Sequence, residues 1–325
     1  MHRLTGLIGC LFLAISAAAC GGDDASSEAA PTTETTVSSA STTTTTAVSA
    51  TSPPTTPTTT TLPPTTTTEV AVTTSLTISV EGGIVSAVMS HETTQDISMW
   101  APEEEGSWPI VVAFPGLSGD RSRWEITGPA LASQGVVVFA TDYRERQYHE
   151  QDGECAYRFA LSVAEEYGGD LDQPVTLVGH SNGATMALYG GLSEAIYGPG
   201  GMYDACFTGT TRPDLIVAIS GCHYEFQGQT TGFDAGWPGR ANLEADIVLV
   251  TGTDDEVCET WQSRDAAESL RSAGYNVDLV EIAGANHYTV IFHDLVEGDV
   301  VQVPDEPAGN QVVQAILEAI NAAGT

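Results

Sequence analysis

Lysine is absent: all ten basic residues are arginine, against 43 acidic ones among 325, giving a formal charge of −33. Phosphate repels a chain of that sign, so nucleic acid and anionic membrane surfaces are excluded as partners. Metal-binding patterns are missing too. No C-x-x-C pair and no H-E-x-x-H occurs, so no metal is expected. The glycine-rich stretch "GPGGMYDACFTG" has no strand leading into it, so no dinucleotide fingerprint is present and no cofactor is expected. No internal repeat is visible, and no apolar run is long enough to cross a bilayer.

The N-terminus "MHRLTGLIGCLFLAISAAACGGDD" has a basic start at His2 and Arg3, an apolar run from Leu7 to Ile15, and small residues before Cys20. That is the layout of an export signal. It resembles a bacterial lipoprotein signal, which implies removal of residues 1–19, lipidation of Cys20 and a membrane contact through that lipid anchor alone. Ala17 departs from the pattern, since a larger aliphatic residue is usual there. "LIGC" at Cys10 leaves too short a run before it. A conventional cleaved signal with a free product is the alternative. Residues 20–72 are nearly all Thr, Ser, Pro, Ala and Glu. Such a stretch has little to bury and is expected to stay extended as a stalk, reaching on the order of 150 Å at about 3 Å per residue. Residues 73–325 then form one domain.

Strand-like and helix-like segments alternate from Leu76 onward. "SLTISV", "IVSAVMS" and "QDISMW" read as opening strands, and "WPIVVAFPG", "VVVFATD", "DLIVAIS", "ADIVLVTG" and "NVDLVEIAG" as later ones. "GPALASQG", "ECAYRFALSVAEEYG", "WQSRDAAESLRSAG" and "GNQVVQAILEAINAAG" read as helices. Apolar strands without alternation, separated by helical crossovers, imply an α/β fold: a mostly parallel central sheet with helices on both faces. Beyond Cys20, Cys155, Cys206, Cys222 and Cys258 suggest two disulfides in an exported chain, with three connectivities open. Cys222 and Cys258 both follow neighbouring strands, which favours Cys222 with Cys258 and Cys155 with Cys206.

The stretch "VTLVGHSNGATMALYGG" runs a buried strand through Gly179-His180-Ser181-Asn182-Gly183 into a helix. Small residues around the turn permit a sharp reversal that exposes Ser181, the arrangement of a nucleophile elbow. A serine needs a base, a group to orient the base, and donors for an oxyanion. In an open α/β sheet these gather at the carboxyl ends of strands. "TDDEV" follows one strand with Asp254 and Asp255, and "ANHYTVI" follows another with His287. The order Ser181, aspartate, His287 is that of α/β-hydrolases.

From about residue 76 onward the chain resembles an α/β-hydrolase of the dienelactone-hydrolase and polyester-hydrolase (cutinase-like) group. Besides the elbow, "FPGLSGDRSRWEITGPALASQGVVVFATDYR" is similar to that group's oxyanion-loop region. The resemblance implies that the amides of Leu117 and Asn182 bind the oxyanion. Leu117 stands where the group often has an aromatic residue. The group's Gly-x-x-Asp-x-Val pattern, counted from Gly252, gives Asp255 as the triad acid, with Asp254 one residue early.

Other residues carry less. His180 reads as a filler of the variable elbow position, His293 as lying inside or after a helix, and His223 as a loop histidine near the pocket. His91 and His149 give no signal. Trp124, Tyr143, Tyr224, Phe226 and Trp237 are candidate pocket aromatics, though simple packing is the commoner role of each, and Tyr224 to Asn242 is a candidate lid or pocket wall. The leading expectation is a tethered serine esterase acting on a small-molecule or polymeric ester. The alternatives are a peptidase or amidase of the same fold, and a non-catalytic envelope binding module.

Overall fold

The computed structural model describes residues 77–89, 96–117, 119–143, 149–192, 211–226, 229–230 and 244–325. The expected signal with Cys20, the stalk of residues 20–72, His91, Cys206, Trp237 and most of the stretch from Tyr224 to Asn242 lie outside them, as do the side chains of His149 and Phe226. Three strands open the fold: β1 (Thr77–Glu81), β2 (Ile84–Met89) and β3 (Ile97–Pro102). Then follow β4 (Ile110–Phe114), α1 (Thr127–Ala132), β5 (Val137–Thr141), α2 (His149–Val163), β6 (Val175–His180), α3 (Asn182–Leu192) and β7 (Leu215–Ile219). A small pair, β8 (Glu225–Phe226) and β9 (Gln229–Thr230), precedes β10 (Asp246–Gly252), α4 (Thr260–Ala273) and β11 (Val277–Ile282). The chain ends with β12 (His293–Val296), β13 (Asp299–Gln302) and α5 (Pro307–Ala323).

Nine strands form one sheet in the order β1-β2-β3-β5-β4-β6-β7-β10-β11. The first three and the β3–β5 pair are antiparallel, and every pairing from β5 to β11 is parallel. The strands read as unbroken apolar runs because both faces are covered. In β4, Ile110, Val112 and Phe114 join a core with Tyr157 and Phe159 of α2, Leu188 of α3 and Leu270 of α4. Val111 and Ala113 join the opposite core with Leu131 of α1 and Val312, Ile316 and Ile320 of α5. Trp124, a candidate pocket aromatic, is buried in this second core instead.

The chain passes from β4 to β5 on one side and from β5 to β6 across to the other, so the strand order reverses at β4. A crevice opens at the carboxyl ends of strands at such a point, which is where α/β sheets hold ligands. The loops after β4 and β6 meet there.

His293 follows a short 3-10 helix (Thr289–Ile291), as expected, and also opens the antiparallel β12–β13 hairpin, which the sequence reading does not include. The turn residues Glu297 and Gly298 both have positive φ, 54° and 97°, a geometry suited to a two-residue hairpin. The short alternation in "HDLVEGDVVQ" carried that signal.

Gly179 and Gly183 limit the whole arrangement. A Cβ on Gly179 would fall 1.9 Å from the Gly183 carbonyl oxygen, and one on Gly183 would fall 2.2 Å from that of Phe114. Backbone cannot retreat from such contacts without moving the sheet. Gly179→Ala is therefore expected to cost about 3 kcal/mol or more. Gly274, at φ +99° with nothing within 4 Å, should cost only about 1 kcal/mol on the same substitution. Urea unfolding of the two variants checks the contrast, and equal losses would contradict it.

Candidate active site

Ser181 sits between β6 and α3 with φ +57°, a left-handed conformation rare for a residue with a side chain. Its amide donates to the Ile219 carbonyl at 2.9 Å, and its carbonyl accepts from the Ala184 amide at 3.0 Å. These bonds hold the strained turn, and strain of this kind collects at functional sites. The loop after β4 runs against it: a Cβ on Gly116 would lie 3.2 Å from Ser181 Cβ. Leu117 follows in that loop, and Asn182 opens α3 beside the serine. The loop is pinned by a Gly119 N–H to Gly116 carbonyl bond of 3.0 Å and by Asp142, which accepts from the Arg121 amide at 2.8 Å and pairs with its guanidinium.

His287 lies on the loop after β11, buried, with Nδ1 2.9 Å from Asp255 Oδ2 and 3.2 Å from Oδ1. Asp255 Oδ1 also accepts the amides of Val257 and Cys258, each at 2.9 Å. A carboxylate so held is fixed in place and directs the Nδ1–H tautomer of the imidazole. Asp254 is exposed, accepts from the Thr253 hydroxyl at 3.1 Å, and makes no contact with His287 among the described residues. An Asx turn shapes the histidine loop: Asn286 Oδ1 accepts the amides of Tyr288 at 2.8 Å and Thr289 at 3.0 Å.

His180 is more than a filler. Its ring is buried against that of His287, centroids 4.7 Å apart, and Nε2 donates to the His287 carbonyl at 2.7 Å. A carbonyl only accepts, so the proton is on Nε2. Burial, and then neighbouring His287, hold its pKa well below 6.5. The elbow thus anchors the backbone of the histidine loop from 107 residues away. Sequence offered only a histidine beside the serine.

The disulfide joins Cys222, after β7, to Cys258, three residues past Asp255. The Ser181 hydroxyl is directed at Cys258 Sγ, 4.0 Å away. Cys155 is disulfide-bonded as well, while Cys206, its expected partner, lies outside the described residues. His223, next to Cys222, is fully buried, and desolvation lowers its pKa to about 4. Of the candidate aromatics, Tyr143 packs at 6.5 Å on Phe114, and Tyr224 stacks on Trp261 at 5.7 Å. Among the described residues no cluster of His, Cys, Asp and Glu is arranged to hold a metal ion.

No family model matches the chain, and no curated protein matches it. Solved structures do. Esterase B from Lactobacillus rhamnosis superposes with a TM-score of 0.57 at 16% identity, covering 75% of this chain and 89% of the other. A butyrate-bound thermophilic esterase from the Planctomycetes species Thermogutta terrifontis gives 0.52 at 18%, covering 70% and 89%. A hyperthermophilic esterase from the archaeon Pyrobaculum calidifontis gives 0.53 at 17%, covering 71% and 82%. With the sheet order and the elbow, these likenesses define the fold as that of an α/β-hydrolase.

The buried histidines generate a stability prediction. His223 has a folded pKa near 4 against an unfolded value near 6.5, so between those values the unfolded chain binds more protons. Its stabilisation is complete above pH 6.5 and is lost as pH falls toward 4, by up to about 1.4 kcal/mol per pH unit. Chemical denaturation at pH 7, 5.5 and 4 should show a shallower acid loss in His223→Gln than in the parent, and parallel losses would refute the assignment.

Proposed function

We propose that this chain is a serine hydrolase of carboxylic esters, with Ser181 as nucleophile, His287 as general base and acid, and Asp255 as the orienting acid. The observation that carries the reading is the bidentate grip of Asp255 on His287 Nδ1 at 2.9 and 3.2 Å, on the strand-end crevice where Ser181 is held at positive φ. In the first step Ser181 Oγ gives its proton to His287 Nε2 and adds to the ester carbonyl. The amides of Leu117 and Asn182 take the oxyanion charge. The tetrahedral adduct collapses, the C–O bond to the alcohol breaks, and the leaving alkoxide receives the proton from His287. Water, deprotonated by the same imidazole, then splits the acyl-enzyme and releases the acid.

The Ser181 hydroxyl is turned toward Cys258, so the cycle begins with a rotation about Cα–Cβ that brings Oγ to His287. Unliganded hydrolases commonly have this hydrogen bond long or misaligned. Short acyl chains are the favoured substrates. The resemblance to the dienelactone-hydrolase and polyester-hydrolase group and the butyrate-bound Thermogutta neighbour support that choice, and Leu117 gives no aromatic clamp for a polymer.

Hydrolysis of p-nitrophenyl esters from acetate to palmitate by residues 70–325 tests the reading. Ser181→Ala should lose on the order of 10⁴-fold or more in kcat. Asp255→Asn should lose roughly 10⁴-fold, as a wrong histidine tautomer does, and Asp254→Asn less than about twofold. The rate should fall in acid, because a protonated imidazole accepts no proton. Full activity in Ser181→Ala, or flat rates down to pH 4, would reject the mechanism.

The N-terminal pattern supports a second element of the proposal: lipidation at Cys20, with residues 20–72 holding residues 73–325 away from the membrane. Cys20→Ala should move the protein from the membrane fraction to the medium. Retention in the membrane would remove the lipid anchor from the proposal.

A further inference from the structure

The two loops that meet at the disulfide are joined a second time. Tyr224, two residues past Cys222, stacks on Trp261, three residues past Cys258, with centroids 5.7 Å apart and planes inclined by 22°. The Tyr224 amide donates to Gln262 Oε1 at 2.9 Å, and its hydroxyl is 3.1 Å from that of Ser269. Trp261 Nε1 donates to Glu259 Oε2 at 2.7 Å. The aromatic pair is thus fixed by its stack and by hydrogen bonds on both members. Yet Trp261 keeps 39% of its surface in solvent, and Val257 keeps 38%. A large apolar ring held rigid and left exposed costs apolar hydration without filling a core.

The pair's position gives that exposure a use. Cys258 Sγ is 4.0 Å from Ser181 Oγ, and three residues of chain reach at most about 11 Å. The aromatic pair is therefore joined to the surroundings of Ser181 through the two loops that the disulfide connects. The loop beneath Trp261 also exposes Thr253, Asp254, Glu256 and Glu259. Those carboxylates repel an anionic leaving group. They are strong acceptors for hydroxyl groups. The face of a sugar ring presents weakly positive C–H bonds, which suit the negative face of an indole.

We propose that Tyr224 and Trp261 form a subsite for the sugar ring of an acylated carbohydrate, the sugar being the alcohol released at Ser181. The inference rests on the ester-hydrolysis reading and names its substrate class. In the reaction the acyl carbon–oxygen bond to the sugar breaks, Ser181 Oγ takes the acyl group, and the sugar oxygen takes the proton from His287.

The test compares methyl 6-O-acetylglucoside with p-nitrophenyl acetate, which shares the acyl group and lacks the sugar. In Trp261→Ala the ratio of kcat/KM for the sugar ester to that for p-nitrophenyl acetate should fall about tenfold, chiefly through KM. Trp261→Phe, which keeps an aromatic face, should restore most of the ratio. An unchanged ratio in Trp261→Ala would overturn the subsite, as would a parent enzyme that cleaves p-nitrophenyl acetate but not the sugar ester. That last outcome leaves the esterase reading standing. A folded parent that cleaves neither ester overturns both.

Discussion

The structure depends on one steric constraint, the closeness of β6 to α3 across the elbow. With 1.9 Å between a hypothetical Gly179 Cβ and the Gly183 oxygen, no side chain is tolerated at either end of the turn. The helix can then start directly above the strand, and Ser181 is forced to φ +57° with its side chain out of the sheet. Strand and helix hold the serine between two rigid elements, so its position is set by the core rather than by a loop. The same closeness brings Gly183 against the end of β4, which places the Leu117 loop beside the serine without any contact of its own design.

Histidine 287 has no such rigid support from its own segment, which is a loop ending in an Asx turn. Its support is borrowed. Asp255 holds the ring from the loop after β10, and His180 holds the backbone from the elbow. Because His180 is adjacent to Ser181, Ser181 and the His287 loop are referenced to one point in the sheet. Burial keeps His180 neutral, so its single Nε2 proton stays committed to the carbonyl while the exchange of protons in the proposed cycle falls to His287. Two histidines of one type in contact are thus separated in role by environment, the pattern by which acid-base sites assign their groups.

The sequence made the strand ends legible, since buried parallel strands announce themselves as unbroken apolar runs and the chemistry-bearing residues follow them directly. Ser181, Asp255 and His287 each stand within a few residues of such a run. What escaped was whatever depended on contacts between distant segments. His180 reads as filler because nothing local reveals that a carbonyl 107 residues on needs its proton. Trp124 could be assigned from sequence to pocket or core only by weighing the two, because the second core that it joins is drawn from α1, the sheet and α5, which no local pattern brings together. The hairpin that His293 opens escapes for a local reason: a four-residue strand is too short for its alternation to stand out after the helix-like "YTVIF", which does form a 3-10 helix at Thr289–Ile291. Trp261 was read only as part of an amphipathic helix, since exposure at a helix start is ordinary until a stacking partner is found across the chain.

The disulfide links these observations. Closing a loop between Cys222 and Cys258, 36 residues apart, removes unfolded-chain entropy worth about 4 kcal/mol in the simplest treatment. A gain of that size does not require the bridge to lie beside Ser181, and many other pairs of positions would give it. Its placement is explained by what it holds. Cys258 follows Asp255 by three residues and donates its amide to Asp255 Oδ1, whose partner oxygen Oδ2 is the one nearer His287 Nδ1. Any motion of the acid loop would therefore move the Asp255 carboxylate first. Tying Cys258 to the loop after β7 resists that motion, and the loop after β7 is in turn fixed by the Ser220 amide, which donates to Val250 of β10 at 2.7 Å. The orientation of His287 is thereby made a property of the sheet, transmitted through one covalent bond and one carboxylate.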